Sequence, residues 1–214
     1  RPETQTGAHS TGLLGELVCS NSLGSNQLSS AAGLLKEELN RLDSFFLKLA
    51  EEKKVPAGNS LSVDRVELAQ AITDEIEKNP DITVIREELK QIPQTDGPVI
   101  VASGPLTAGE FANHITSITM RKNLFFYDAT SPIISAESID YDKVYMASRY
   151  DKGEADFLNI PLDEQQYNEF VKDLIESKKV ELKEVDKDIF FDACLPIEEI
   201  ARRGHQSLAF GPLK

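Results

Sequence analysis

Residues 98–118, PVIVASGPLTAGEFANHITSI, constrain the fold more than any other stretch of the chain. Val99, Ile100 and Val101 form a β-branched run, and such side chains favour an extended, pleated backbone. Gly104-Pro105 breaks that run. Thr107 and Glu110 then stand at capping-box spacing, and Phe111, Ile115 and Ile118 follow on one helical face. The pattern predicts a strand that passes through a glycine turn into a helix, the building unit of an α/β layer. The N–H groups at such a helix start are able to meet a phosphate or another polar ligand group.

The rest of the chain is read by the same rules. Residues 1–30 are rich in Ser, Thr, Gly and Asn around one apolar island, LLGELV, and predict a long loop of the kind that often carries function. Leu35, Leu39, Leu42, Phe46 and Leu49 then recur at helical spacing and predict one helix with a core-facing stripe. VPAGNS (55–60) ends it. Asp64 and Glu67 predict a capping box for a second helix, whose buried face is Leu68, Ile72 and Ile76 and which stops at NPD (79–81). ITVI (82–85) is a second candidate strand.

Past residue 124 the texture changes. LFFYDA, KVYMASRY and ADFLNIPL predict sheet strands, with DKGE as a turn. Asp163 and Gln166 cap a helix whose buried side is Tyr167, Phe170, Val171 and Leu174. Helices and strands here do not alternate strictly, so this part reads as α+β and the first hundred residues as α/β.

Composition excludes several classes. At 214 residues the chain is long enough to bury a core in one domain or two. No apolar run approaches the ~20 residues of a membrane span, and no secretory signal is visible at the first residues. The net charge of −13 opposes a broad phosphate-binding surface and leaves only a local basic patch for nucleic acid. Two cysteines do not make a disulfide scaffold, and with three scattered histidines (His9, His114, His205) they do not make a four-ligand zinc site. The expectation is free thiols in a reducing cytosol, and no metal. The chain begins at Arg1, which reads as a processed or excised segment.

Those two thiols are the candidate chemistry. Cys194 lies in FFDACLPIEEIARRG, two residues before Pro196, which suits the first turn of a short helix. A thiol near a helix start feels the positive end of the dipole, which favours the nucleophilic thiolate. Glu198 and Glu199 in that first turn oppose it. A small buried hydrophobe is the alternative. Cys19 lies among Ser20, Asn21, Ser22 and Asn26, a polar loop that is an odd place for a core cysteine.

The strings GELVCSNSLGSN, AAGLLKEELNRLDS, VPAGNSLSVDR, VIVASGPLT, FYDATSPII, DKVYMASRYDKGEADFLN, CLPIEEIARRG and FGPLK occur in that order over essentially the whole chain. In this the sequence resembles the folate- and flavin-dependent tRNA (uracil-5-)-methyltransferases, bacterial flavoproteins related to the GidA group. The resemblance implies an α/β fold: a partial Rossmann-like FAD-binding domain (1–107) without its glycine fingerprint, an inserted α+β substrate domain (108–207), and a return into the FAD domain (208–214). The implied activity is formation of 5-methyluridine in the tRNA T-loop in the cytoplasm. FAD and methylenetetrahydrofolate are the implied cofactors, NAD(P)H the reductant and tRNA the partner. Cys194 matches the nucleophile and Cys19 a second cysteine near the flavin. Ser20, Asn21, Gly104, Pro105, Leu106, Thr107, Gly211 and Pro212 are the candidate cofactor contacts. Arg149, Lys152, Arg202 and Arg203 are candidate contacts to tRNA or folate. The fragment itself is expected to bind FAD weakly and to be inactive alone. A GidA-type enzyme acting on the wobble uridine is the neighbouring alternative, and a non-catalytic RNA- or protein-binding module the alternative from another class.

Overall fold

The structure is a computed structural model, and it describes residues 9–18, 20–104, 107, 109–120, 134–148, 154–178, 195–211 and 213. The chain forms two compact units. One takes Arg1–Arg86 and Thr130–Pro161, the other Glu87–Ala129 and Leu162–Lys214. The expected boundary at 107–108 falls inside the second unit.

The first unit is built around a small antiparallel sheet. Strand β1 is Ser22–Ser25, β2 is Lys54–Val55 and β3 is Ser60–Val63, in the order β1-β3-β2. β3 is the central strand and is the apolar one: Leu61 and Val63 are fully buried. Ser22 faces Ser62 and Ser25 faces Ser60, so β1 spends one more residue than its partner. That bulge coincides with Gly24 at φ +80°, a conformation that favours glycine.

Helix α1 (Ala31–Arg41) starts at Ser30, whose hydroxyl accepts from the Gly33 N–H. Gly33 allows the helix to lie against the preceding turn, because a Cβ there would stand 2.1 Å from the Gln27 carbonyl oxygen. The predicted single helix is two. α1 stops at Leu42, Asp43 takes φ +60°, and Ser44 caps a new helix, α2 (Phe45–Glu52). The predicted leucine stripe therefore splits. Leu35 and Leu42 are 56% and 78% exposed, whereas Leu47, Leu49 and Ala50 of α2 are buried. The face of α1 that is buried is Gly33 and Lys36.

Helix α3 (Arg65–Lys78) is capped by Asp64, whose carboxylate accepts from the N–H groups of Val66 and Glu67. The box is half made, since the Glu67 carboxylate pairs with Lys53 at 3.5 Å. Leu68 and Ile72 close the core with Leu47, Leu61 and Val63, and Ile76 packs at its edge. A second hairpin, β4 (Tyr145–Ala147) with β5 (Phe157–Asn159), is antiparallel with Met146 opposite Leu158.

In the second unit, α4 is Gly109–Thr119, as the apolar spacing predicted. Its capping box is not formed. The Thr107 hydroxyl donates back to the Gly104 carbonyl and accepts from the Ser103 hydroxyl, and Glu110 pairs with Lys90 at 3.2 Å. Helix α5 (Glu164–Glu176) does carry the full box of Asp163 and Gln166. Val171 of α5 packs with Ala201 of α6 (Ile197–Arg203) and with Leu208, while Phe170 is exposed.

The expected strands at 82–85 and 98–103 join neither sheet among the described residues. Ile85 and Ile100 are 72% and 89% exposed. A strand needs a neighbour for its backbone bonds, and both sheets among the described residues are antiparallel and complete without these segments. The observed class is mixed α/β. LFFYDA lies outside the described residues.

Candidate functional site

The segment that leads to Cys19 is anchored along its length. Glu16 accepts four hydrogen bonds, from Ser10 N (2.8 Å), Ser10 Oγ (3.0 Å), Thr11 N (3.3 Å) and Thr11 Oγ1 (2.9 Å). Desolvation pushes its carboxyl up, but these donors together hold it below the ordinary carboxylate range. The Arg86 guanidinium donates to the Gly12 carbonyl at 2.6 Å. Leu14 N donates to the buried Thr73 hydroxyl, whose own proton goes to the Ala69 carbonyl. Beyond Cys19, Asn21 is tied to β3 twice: its Nδ2 donates to the Val63 carbonyl and its carbonyl accepts from Val63 N. Cys19 itself lies outside the described residues, but the backbone on both sides of it is fixed. Fixed flanks are what a reacting group needs, because freedom lost before the reaction is not lost during it.

Ser20 and Asn21 are exposed on that segment, and the Ser20 hydroxyl accepts from Ser22 N at 3.0 Å. In α1, which follows that strand, Lys36 is buried, at 9% exposure. Its ammonium donates to the Ser25 carbonyl at 3.0 Å and to the Ala32 carbonyl at 3.2 Å.

Gly104, Thr107, Arg202, Arg203 and Gly211 belong to the other unit. Gly104 stands at φ +81°, and nothing lies within 4 Å of where a Cβ would be. Its bare face admits a close backbone approach by a ligand. α4 begins five residues later, so this glycine opens a separate turn, held by Thr107, rather than the helix. Gly211 is different: a Cβ there would meet the Ser207 carbonyl oxygen at 2.7 Å, so packing alone requires a glycine. The turn that carries it is latched by Tyr167, whose hydroxyl donates to the His205 carbonyl at 2.6 Å and accepts from Ala209 N at 3.2 Å. The His205 ring stands edge-on to the Tyr167 ring. Arg202 is held by Glu199 at 2.8 Å.

The N-cap of α6 is Pro196, one position earlier than the first helical turn that its sequence suggested. Cys194, Pro105, Leu106, Arg149, Lys152 and Pro212 lie outside the described residues. Among the described residues no cluster of three or more His, Cys, Asp or Glu side chains is arranged to hold a metal, and no helix is long and apolar enough to cross a membrane. Lys36, Glu16 and Tyr167 carry the local geometry and were not singled out from the sequence for these roles. The one signal was the Gly33/Lys36 pair, three apart on the helix face opposite the leucines.

A family model described as glucose inhibited division protein A matches residues 3–214. Over all 214 residues the chain is 50% identical to the methylenetetrahydrofolate-tRNA-(uracil-5-)-methyltransferase TrmFO of Shouchella clausii, covering 100% of this chain and 49% of that protein. It is 48% identical to the protein of the same name from Halalkalibacterium halodurans, again covering 100% and 49%. The Brevibacillus brevis protein of that name is 49% identical, with 100% and 48% covered. The chain thus spans about half the length of the curated relatives it matches.

Proposed function

Because the chain belongs to the glucose inhibited division protein A family, we propose that it is part of a folate- and FAD-dependent tRNA (uracil-5-)-methyltransferase that forms 5-methyluridine in the T-loop. The observation that carries this reading is the near 50% identity, across every residue, to relatives that bear that activity in their names. Reduced FAD and methylenetetrahydrofolate, when bound, would supply a hydride and a one-carbon unit, and NAD(P)H would restore the reduced flavin. Gly104 fits such a group, since its open face allows the flavin or its phosphates to come close. Ser20 and Asn21 on the anchored segment of the first unit are further candidate contacts, and so, in the second unit, are Pro105, Leu106, Thr107, Gly211 and Pro212. The proposed organisation is a partial FAD-binding domain with an inserted substrate domain, and the proposed location is the cytoplasm.

The thiols do the chemistry on the base. C5 of uracil is a poor nucleophile. The Cys194 thiolate adds at C6, the C5–C6 double bond becomes an enolate, and C5 bonds to the one-carbon unit. A base then takes the C5 proton as the carrier nitrogen leaves the carbon, and a hydride from reduced flavin would turn that methylene into a methyl group as the C6–sulfur bond breaks and the thiolate returns. Cys19 is the candidate for that base or for handling the carbon beside the flavin. The uridine must leave its stack to be reached, at a cost of a few kcal/mol. Arg149, Lys152, Arg202 and Arg203 are the proposed contacts to RNA phosphate or folate carboxylate. Arg202 would exchange Glu199 for that anion.

The test uses the full-length protein, labelled methylenetetrahydrofolate and T-loop RNA. Wild type transfers label, and Cys194→Ala lowers turnover by about a thousand-fold or more, as loss of a nucleophile does elsewhere. A variant with wild-type turnover removes Cys194 from the role. RNA binding without labelled product in either protein replaces the enzyme with a binding module.

A further inference from the structure

We propose that Lys36, beneath the bare face of Gly24, forms a subsite for the oxyanion group of a small-molecule ligand. Lys36 is nine-tenths buried, and burial of a cation is costly unless something answers its charge. Among the described residues no carboxylate pairs with it. Its partners are two neutral carbonyls, Ser25 and Ala32, at 3.0 and 3.2 Å. An ammonium has three N–H donors, so one remains unspent. The helix around it does not answer the charge either: Glu37 of α1 is already paired with Arg41 at 2.8 Å.

The unspent donor has an opening. A Cβ built on Gly24 would meet only the Ala32 methyl at 3.4 Å and the Lys36 Nζ at 4.0 Å. Gly24 stands at φ +80° in the β1 bulge, so no side chain of its own stands at that point 4.0 Å from the ammonium. Ser25, the next residue, carries a second donor. Its hydroxyl oxygen accepts from Gln27 N at 3.1 Å, which leaves its own proton free to give. A buried cation with one donor unspent, next to a position that carries no side chain, suits a single carboxylate or phosphate oxygen. A clamp alone, tying the end of β1 to α1, would need neither the opening nor the full charge. The subsite stands on the strand that leaves the Cys19 segment, and it does not depend on the methyl-transfer reading.

The experiment titrates the 214-residue chain with inorganic phosphate, with acetate, and with sodium chloride at matched ionic strength. It follows the amide resonances of Gly24 and Ser25 and the Nζ resonance of Lys36. Phosphate or acetate should move all three saturably, and the one that does so identifies a phosphate-type or a carboxylate-type ligand. Lys36→Met should weaken that binding at least tenfold, while Lys36→Arg should retain most of it. Shifts that are linear and equal to those in chloride overturn the proposal, as does Lys36→Met binding within twofold of wild type. If Lys36→Met does not fold, the wild-type Nζ signal decides: unchanged position and unchanged hydrogen exchange in both anions overturn the subsite.

Discussion

Glu16 is the side chain on which the segment before Cys19 depends. Four donors from Ser10 and Thr11 converge on its carboxylate, and they depress its titration below the ordinary 4.5 despite the opposing effect of burial. A carboxyl with a depressed folded value contributes stability that is full above the unfolded value and is lost as pH falls through the folded one. Glu16→Gln should therefore cost about 1 kcal/mol at neutral pH, the size of a net gain from charge-assisted bonds at a partly exposed site. The two proteins should converge as pH drops below 4.5. Urea denaturation midpoints at a series of pH values measure this. A constant gap down to acid would mean that the carboxylate's charge plays no part.

At the scale of elements, the break between α1 and α2 decides which leucines matter. A continuous helix would have kept Leu35, Leu39, Leu42, Phe46 and Leu49 on one buried stripe. The turn at Asp43, with its positive φ, rotates α2 so that Leu47 and Leu49 enter the core and leaves Leu35 and Leu42 outside. Leu35→Ala and Leu42→Ala should each change stability by about 0.5 kcal/mol or less, as surface changes do. Leu68→Ala, at a fully buried position, should cost about 2–5 kcal/mol. Equal losses for Leu35 and Leu68 in urea would restore the single helix. The sequence made the caps legible, because Asp64 and Asp163 act on N–H groups two or three residues away. It could not show the Asp43 break, since leucines at helical spacing look the same whichever way the helix turns. Lys36 and Glu16 were hidden for a related reason: their partners lie on other segments, and a charged residue in a polar window reads as solvated. The candidate site rests on the resemblance at Cys19 and Cys194, which lie outside the described residues, and the structure adds the hydrogen bonds that hold the segment before Cys19.

For the whole molecule the decisive relation is between the flavin fold and what the described backbone pairs. A Rossmann unit holds the FAD pyrophosphate with a glycine-rich turn between a parallel strand and a helix. The 214 residues contain no G-x-G-x-x-G, and every ladder among the described residues is antiparallel. The run Val99–Val101, which has the composition of an inner parallel strand, is unpaired, with Ile100 at 89% exposure. The proposed flavin contacts, Gly104 in one unit and Ser20 and Asn21 in the other, include no glycine-rich turn between a parallel strand and a helix among the described residues. The 214-residue chain should therefore purify with far less than one flavin per molecule, and added FAD should be lost on gel filtration, whereas the full-length protein retains it. Visible flavin absorbance against protein concentration measures this. A yellow chain with one flavin per molecule would show that the pyrophosphate is held by residues within these 214, and the reading of this chain as a partial FAD domain would have to be abandoned.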